Sequence, residues 1–216
     1  MSGFDAVLFD LDGTIADSSD IICRAQAQTC AEFGHPVSPE SLRPYVGPPP
    51  WFTFGEVTGE PPEVVERMVR SYRASYAELL PQTPVFQPVV GLLERLHAAG
   101  MPLALATSKQ RAAALRLLEL HGLAELFRVI QGAGDDATSA DKAVVVGRAL
   151  ADLRALGVLA ERPVLVGDRS HDVEGAARHG VPTILVGWGY GSAEERAAAS
   201  AVAADVVELE ALLSGR

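Results

Sequence analysis

The sequence predicts an α/β protein, a Rossmann-like doubly wound parallel sheet carrying an inserted all-helical cap. Three observations predict it. Short apolar runs alternate with helical patterns from residue 88 to 213, the order expected of βαβ units. Residues 15–86 interrupt that order after the first strand with helical patterns and no convincing strand. Polar clusters stand where strands end or helices begin, the edge at which open α/β sheets bind ligands. The reading assigns 1–14 and 87–216 to a core and 15–86 to a cap over the strand ends.

The elements follow in order. Residues 4–10 form a buried strand built on Ala6-Val7-Leu8-Phe9. Ser18 to Phe33 is helical and stops at Gly34. Ser38-Pro39 pairs an N-cap with proline at a first helical position. Tyr45 to Phe52, with three consecutive prolines, is a stiff loop leading into a short helix. Val64, Val65, Met68, Tyr72 and Tyr76 recur at helical spacing over 62–80. In the core, helix 88–99 stops at Gly100, strand 102–106 ends in Thr107-Ser108-Lys109, and helix 110–121 stops at Gly122. A strand over 127–131 precedes a long helix, 141–156, that stops at Gly157. Strand 163–166 ends in Gly167-Asp168, and helix 171–179 stops at Gly180. Strand 182–186 and helices near 193–200 and 207–213 complete the chain.

Composition narrows the partners. The 216 residues suffice for one domain with a modest insertion. A formal net charge of −10 argues against a nucleic-acid polymer as partner. A small anionic substrate stays compatible if basic residues gather locally. No apolar stretch reaches membrane-spanning length, and the first apolar run is broken by Asp10, so neither a membrane span nor a signal peptide is expected. Cys23 and Cys30 lie two helical turns apart, too far for a disulfide, and match no zinc spacing. They are expected as buried reduced thiols, consistent with a cytoplasmic protein. Only two lysines, Lys109 and Lys142, stand among 16 arginines. A position that keeps lysine in such a chain either needs a compact ammonium or has merely escaped a composition bias.

The chemistry sits in four clusters. Asp10-Leu11-Asp12-Gly13-Thr14 follows the first strand, and residues two apart along a strand point the same way, so Asp10 and Asp12 can converge. Two such carboxylates need a cation or a shared proton. Thr107 and Ser108 follow the second core strand; either they cap the next helix or they bind an anion. Lys142 lies near the start of its helix. Asp168 closes a strand, and Asp172 lies one helical turn beyond it. Parallel topology brings all four clusters to one sheet edge. Asp10, Asp12 and Asp168 offer hard oxygen ligands that suit Mg²⁺. A hydroxyl at 107 or 108, Lys142 and helix N-termini can hold a tetrahedral dianion. A carboxylate nucleophile with Mg²⁺ suits phosphoryl transfer through an aspartyl-phosphate.

These residues resemble the haloacid dehalogenase-like hydrolase superfamily, in its phosphoglycolate phosphatase-like branch with a helical cap. Asp10 to Thr14 match the first motif, Thr107 the second, Lys142 the third and Gly167-Asp168-Arg169-Ser170-His171-Asp172 the fourth. Ala143 stands where relatives often have proline. The resemblance implies that Asp10 is the nucleophile and Asp12 the general acid, then base. It implies Mg²⁺ on the Asp10 carboxylate, the Asp12 carbonyl and Asp168, with Asp172 supporting it through water. Thr107, the Ser108 N–H and Lys142 would bind the phosphoryl group, with Lys109 outside that site or at its rim. Asp12 argues against a dehalogenase, whose reaction needs no second aspartate. The absence of lysine from 15–86 argues against a phosphonatase, which forms a Schiff base on a cap lysine.

The reading is thus a phosphatase acting on a small phosphorylated metabolite, phosphoglycolate-like or a nucleoside monophosphate, with sugar phosphates open. A sugar phosphomutase is the same-class alternative, and a non-catalytic binding protein on this fold the alternative of another class. In the cap, Arg43 either clamps a substrate anion or is solvated at a helix end. Trp51 and Phe52 either stack on a substrate ring or pack the cap on the core. His35 is a further cap residue of interest. The oligomeric state stays open between monomer and dimer.

Overall fold

In the computed structural model, which describes residues 3–215, strand β1 (Ala6–Phe9) lies at the centre of the sheet with all four residues buried. Having no polar face, it needs cover on both sides, the condition met in parallel α/β sheets. Strands β2 (Leu103–Gln110) and β4 (Pro163–Gly167) flank it in parallel, with Phe9 beside Leu105 and Val166. Strands β3 (Val129–Ala133), β5 (Thr183–Val186) and β6 (Ala201–Ala203) extend the sheet to the order β3-β2-β1-β4-β5-β6. That is the doubly wound order, with its reversal beside β1.

Alternation along the strands builds two apolar layers. Val7, Phe9, Leu103, Leu105, Val164 and Val166 point to one face, where helices α4 (Gln87–Ala98), α5 (Arg111–Leu120) and α9 (Val206–Ser214) supply Leu92, Leu93, Leu117 and Leu209. Ala6, Leu8, Ala104, Ala106 and Leu165 point to the other. There α6 (Lys142–Ala155) packs Val145, Val146, Ala149 and Leu153, and α7 (Ser170–Ala177) adds Ala176. The small alanines of β1 and β2 allow α6 a close approach.

The cap is helical throughout. It comprises α1 (Ser19–Glu32), a 3₁₀ helix over Pro39–Tyr45, α2 (Pro50–Thr58) and α3 (Pro62–Leu79). Cys30, Phe54, Val65, Met68 and Val69 form its own apolar cluster. Ile22, Cys23, Leu42, Tyr76 and Leu80 on its lower side belong to the core's main cluster instead. The two connections lie side by side: Phe86 N–H donates to Ile15 C=O at 2.9 Å, and Asp17 N–H to Pro84 C=O at 3.0 Å. Both cysteines are free and buried, and burial pushes the Cys23 thiol up to about 11.

Three boundaries differ from expectation. Strand β2 runs to Gln110, and its pairing with β3 shifts register between Ala106 and Gln110, across Thr107-Ser108-Lys109. Strand β3 begins at Val129, two residues late. The helix expected near 193–200 is only α8 (Ala193–Arg196), and Ala201-Val202-Ala203 pairs with β5 as an edge strand. Alanines there read as helix former, but pairing with β5 overrides that propensity.

Candidate active site

Asp10 stands one residue past β1, and its N–H still donates to Val166 C=O at 2.8 Å, so the sheet fixes its backbone. Lys142, the first residue of α6, reaches back to it. Lys142 Nζ lies 2.7 Å from Asp10 Oδ1 and 2.6 Å from Asp172 Oδ1, with all three side chains buried. The helix start holding this lysine is capped by Asp141, whose carboxylate accepts the Ala143 N–H at 2.7 Å. Gly175 on α7 clears the space beside it; a Cβ there would lie 2.7 Å from Lys142 Cβ and Cγ.

Asp168 follows β4. Asp172, in the first turn of α7, turns back and accepts the N–H groups of Asp168 and Arg169 at 3.0 Å each. Asp10, Asp168 and Asp172 each offer a carboxylate oxygen, and these oxygens lie within 4.8 Å of one another. Burial pushes the Asp168 carboxyl well above the usual carboxylate range, and the neighbouring Asp172 and Asp10 push it further. Burial also raises Asp10, against the attraction of Lys142. Asp172 is lowered despite its burial, because Lys142, His171 and backbone donors favour its charge. Asp168 Oδ1 is buried without a hydrogen-bond partner. A buried orphan oxygen amid converging carboxylates fits a hard divalent cation.

Asp12 belongs to a second cluster. Gly13, at φ +81°, turns the chain after it, and a Cβ there would meet Asp168 Oδ2 at 2.2 Å. Asp12 Oδ1 accepts Ser18 Oγ at 2.5 Å, and both carboxylate oxygens accept Lys109 Nζ at 3.0 Å. The Lys109 ammonium also sits 4.1 Å above the Tyr76 ring of the cap. The chain's two lysines therefore each hold one of the two motif aspartates. Lys109 is the direct partner of Asp12, because the extension of β2 carries residue 109 to the cap–core seam. Thr107 is buried, and its Oγ1 accepts the Lys109 N–H at 3.2 Å.

Two cavities adjoin the clusters. One, of about 260 Å³, lies between cap and core and is lined by Asp12, Tyr45, Trp51, Tyr72, Tyr76 and Lys109 among others. The second, an open groove of about 670 Å³, is lined by Phe52, Lys142, His171, Glu174 and Arg178. Ser108 borders both. Trp51 and Phe52 thus part company: Trp51 faces the aromatic cavity, its Nε1 donating to Glu66 at 2.8 Å, while Phe52 is 53% exposed on the groove. Arg43 is exposed and lines neither cavity, so it is not brought to the site. His35 pairs with Glu60 at 2.8 Å within the cap.

Sequence reasoning also missed the loop Gly187-Trp188-Gly189-Tyr190-Gly191. The Tyr190 N–H donates to Asp168 Oδ2 at 2.7 Å, and Trp188 Nε1 donates to Thr14 C=O at 3.2 Å. A Cβ at Gly189 would lie 2.3 Å from Asp168 Cβ, and one at Gly191 2.1 Å from Asp168 O. Glycines at alternate positions directly after a core strand were the available signal. Arg169 was missed too. It donates to Glu195 at 2.9 Å and to Val46 C=O of the cap.

A family model described as haloacid dehalogenase-like hydrolase matches residues 7–186, spanning β1 through β5 and every cluster above. The chain belongs to the haloacid dehalogenase-like hydrolase family. Among its relatives, the tyrosine-protein kinase PtkA of Mycobacterium tuberculosis is 41% identical over 87% of this chain. The chain spans only 64% of that protein's length. A 5'-nucleotidase of Pseudomonas aeruginosa is 34% identical, over 88% of this chain and 85% of its own. The crystal structure of a predicted phosphatase from Clostridium acetobutylicum is 32% identical with a TM-score of 0.89, over 97% of each chain. The buried acids and their lysine lie at the carboxyl edge of the sheet.

Proposed function

We propose that the protein is a cytoplasmic Mg²⁺-dependent phosphatase that hydrolyses a small-molecule phosphomonoester through an aspartyl-phosphate. The observation that carries this reading is the buried cluster of Asp10, Asp168, Asp172 and Lys142, adjoined by a separately held Asp12. Residues 1–14 and 87–216 act as the catalytic core, with 15–86 as the cap that shapes the leaving-group side.

An Asp10 carboxylate oxygen attacks phosphorus, forming the Asp10–phosphoryl bond as the bond to the leaving oxygen breaks. Asp12 gives that oxygen a proton, then takes one from the water that hydrolyses the phospho-enzyme. Thr107, the Ser108 N–H and Lys142 hold the phosphoryl oxygens. The carboxylates of Asp10 and Asp168 and the backbone carbonyl of Asp12 would hold Mg²⁺, with Asp172 supporting it through water. The ion would supply charge stabilisation for the transferring phosphoryl group. Phosphoglycolate-like esters and nucleoside monophosphates are the substrate classes of this reading.

Phosphate release from a panel of phosphomonoesters, with and without Mg²⁺, tests it. Asp10→Asn should abolish turnover while preserving the fold, since the change is nearly isosteric. Near-normal turnover by that variant would rule out the covalent route. Isomerisation of a sugar phosphate with a bisphosphate activator, without net phosphate release, would instead establish the mutase alternative.

A further inference from the structure

We infer that Arg169 is a positioning residue that straps cap segment 46–49 to the core and so fixes the wall between the site's two cavities. The inference rests on the phosphatase reading above and adds a residue to it. Gly47 and Pro48 line the cap–core cavity beside Asp12, and Pro48, Pro49 and Phe52 line the open groove beside Lys142. The segment therefore separates the two spaces, and its place shapes both. Pro48, Pro49 and Pro50 have no N–H to donate, so such a wall is held through its carbonyls.

Arg169 supplies the donor from the core side. Its own N–H is fixed by the Asp172 carboxylate at 3.0 Å. Its Nη1 donates to Val46 C=O, and its Nε donates to the two oxygens of Glu195 at 2.9 and 3.2 Å. A guanidinium makes both contacts at once, because its donors diverge from one rigid plane. Glu195 is itself anchored, accepting the Ser170 N–H at 3.1 Å and the Ser192 N–H at 2.8 Å. Burial raises its carboxyl, but these donors and Arg169 outweigh burial and hold it down to about 2, so the anchor stays charged. On the cap side, Gly47 takes φ +114°, and a Cβ there would lie 3.0 Å from His171 Cε1 and 3.3 Å from Arg169 Cγ. Glycine thus lets the wall lie against the arginine stem. The opposite flank of the cavity is held independently, by Arg73 of α3 donating to Gly134 C=O at 3.0 Å and to Asp135 at 3.2 Å. Loss of the Arg169 strap therefore frees the wall and leaves the cap seated.

The test breaks the strap from each side. Arg169→Met removes the donor, and with it a positive neighbour of Asp168. Gly47→Ala leaves Arg169 and that charge in place but pushes the wall away. Hydrogen exchange of the amides from Tyr45 to Thr53 should be about tenfold or more faster in both variants than in the wild type, while those of α3 are unchanged. Turnover is read, with Mg²⁺ saturating, on the phosphomonoester that the wild type hydrolyses best and on acetyl phosphate, whose small leaving group makes little use of the wall. The ratio of kcat/KM for the ester to that for acetyl phosphate should fall by about tenfold or more in each variant. The double variant should lose no more than either single one, because each has already broken the same strap. Unchanged exchange over 45–53, an equal loss on both substrates, or losses that multiply in the double variant would overturn the inference and leave the phosphatase reading standing. If Arg169→Met does not fold, Gly47→Ala carries both measurements. No phosphate from any ester in the wild type sinks the phosphatase reading, and exchange alone then decides the strap.

Discussion

Lys142 is wedged between two buried carboxylates at 2.7 and 2.6 Å, a geometry made for a compact ammonium. A guanidinium is broader and planar and cannot occupy that place without moving one acid. Lys142→Arg should therefore lower kcat on the order of 100-fold, the usual penalty for misplacing reacting groups by about 1 Å. Lys142→Met should destabilise the metal-free fold by about 3–5 kcal/mol, because it leaves buried carboxylates without their countercharge. Wild-type turnover by the arginine variant would remove Lys142 from the chemistry. Lys109 calls for a different experiment, since it touches Asp12 rather than Asp10. Lys109→Met should slow hydrolysis of alkyl phosphates by about tenfold more than that of nitrophenyl phosphate, whose leaving group needs little protonation. Equal loss on both substrates would mean that Lys109 does not position the acid. The scarcity of lysine made both residues conspicuous in the sequence. Only Lys142 could be assigned, because its place at a helix start beside the sheet edge follows from local pattern. The Lys109 ammonium also meets the ring of Tyr76, 33 positions earlier on a cap helix, and no periodicity records that contact.

At the scale of elements, helix ends were legible because glycine marks them. Gly34, Gly100, Gly122, Gly157 and Gly180 all take positive φ just beyond their helices, a region closed to most side chains. Strand ends were less so. Strand β6 is three residues of alanine and valine, and only the partner strand makes them extended. The 187–191 loop lies between these cases: its glycines were visible, but their object, Asp168, is some twenty positions away and reached only through the sheet order. Gly189→Ala tests that role. Its Cβ would press on Asp168 Cβ at 2.3 Å and Oδ2 at 2.7 Å, so the loop or the carboxylate must move. Such overpacking costs about 1–3 kcal/mol. Mg²⁺ affinity should weaken by about tenfold or more, in the range seen when groups supporting metal ligands are lost. Gly55→Ala in α2 is the control: nothing lies within 4 Å of its Cβ, and alanine in a helix stabilises by about 0.5–1 kcal/mol. Mg²⁺ titrations of both variants decide the point, and unaltered affinity in Gly189→Ala would reduce the loop to a connection.

Over the whole molecule, folding gathers Asp10, Asp12, Asp168 and Asp172 around two ammoniums, leaving an excess of carboxylates in a buried place. The fold was legible from the sequence because two apolar layers and a helical block follow from pattern alone. This electrostatic burden was not, because it arises only when three strands, α6 and α7 meet. The burden has a sign. Asp10 and Asp168 titrate above their ordinary value of 3.8 in the folded protein, so between that value and their raised ones the native state holds protons that the unfolded chain has lost. Their contribution to stability is therefore full below 3.8 and is lost as pH rises through the folded values. Asp172, lowered by its pairing, contributes in the opposite sense, and its contribution is lost only on the acid side of 3.8. A divalent cation at the proposed site would replace those protons, so Mg²⁺ should stabilise the protein more at about pH 8 than at about pH 5. At a hundredfold excess over its Kd the gain is about 2.7 kcal/mol, or several degrees in Tm for a chain of this length. Melting curves in millimolar Mg²⁺ and in chelator, at both pH values, give the difference directly and cancel the titration of distant groups. The gap should widen toward alkaline pH in the wild type and largely close in Asp168→Asn, which lacks the carboxylate that burial and its acid neighbours push well above the usual range. A gap of equal size at both pH values would show that the acids are already balanced without a metal, and the proposed ion site would fall with that result.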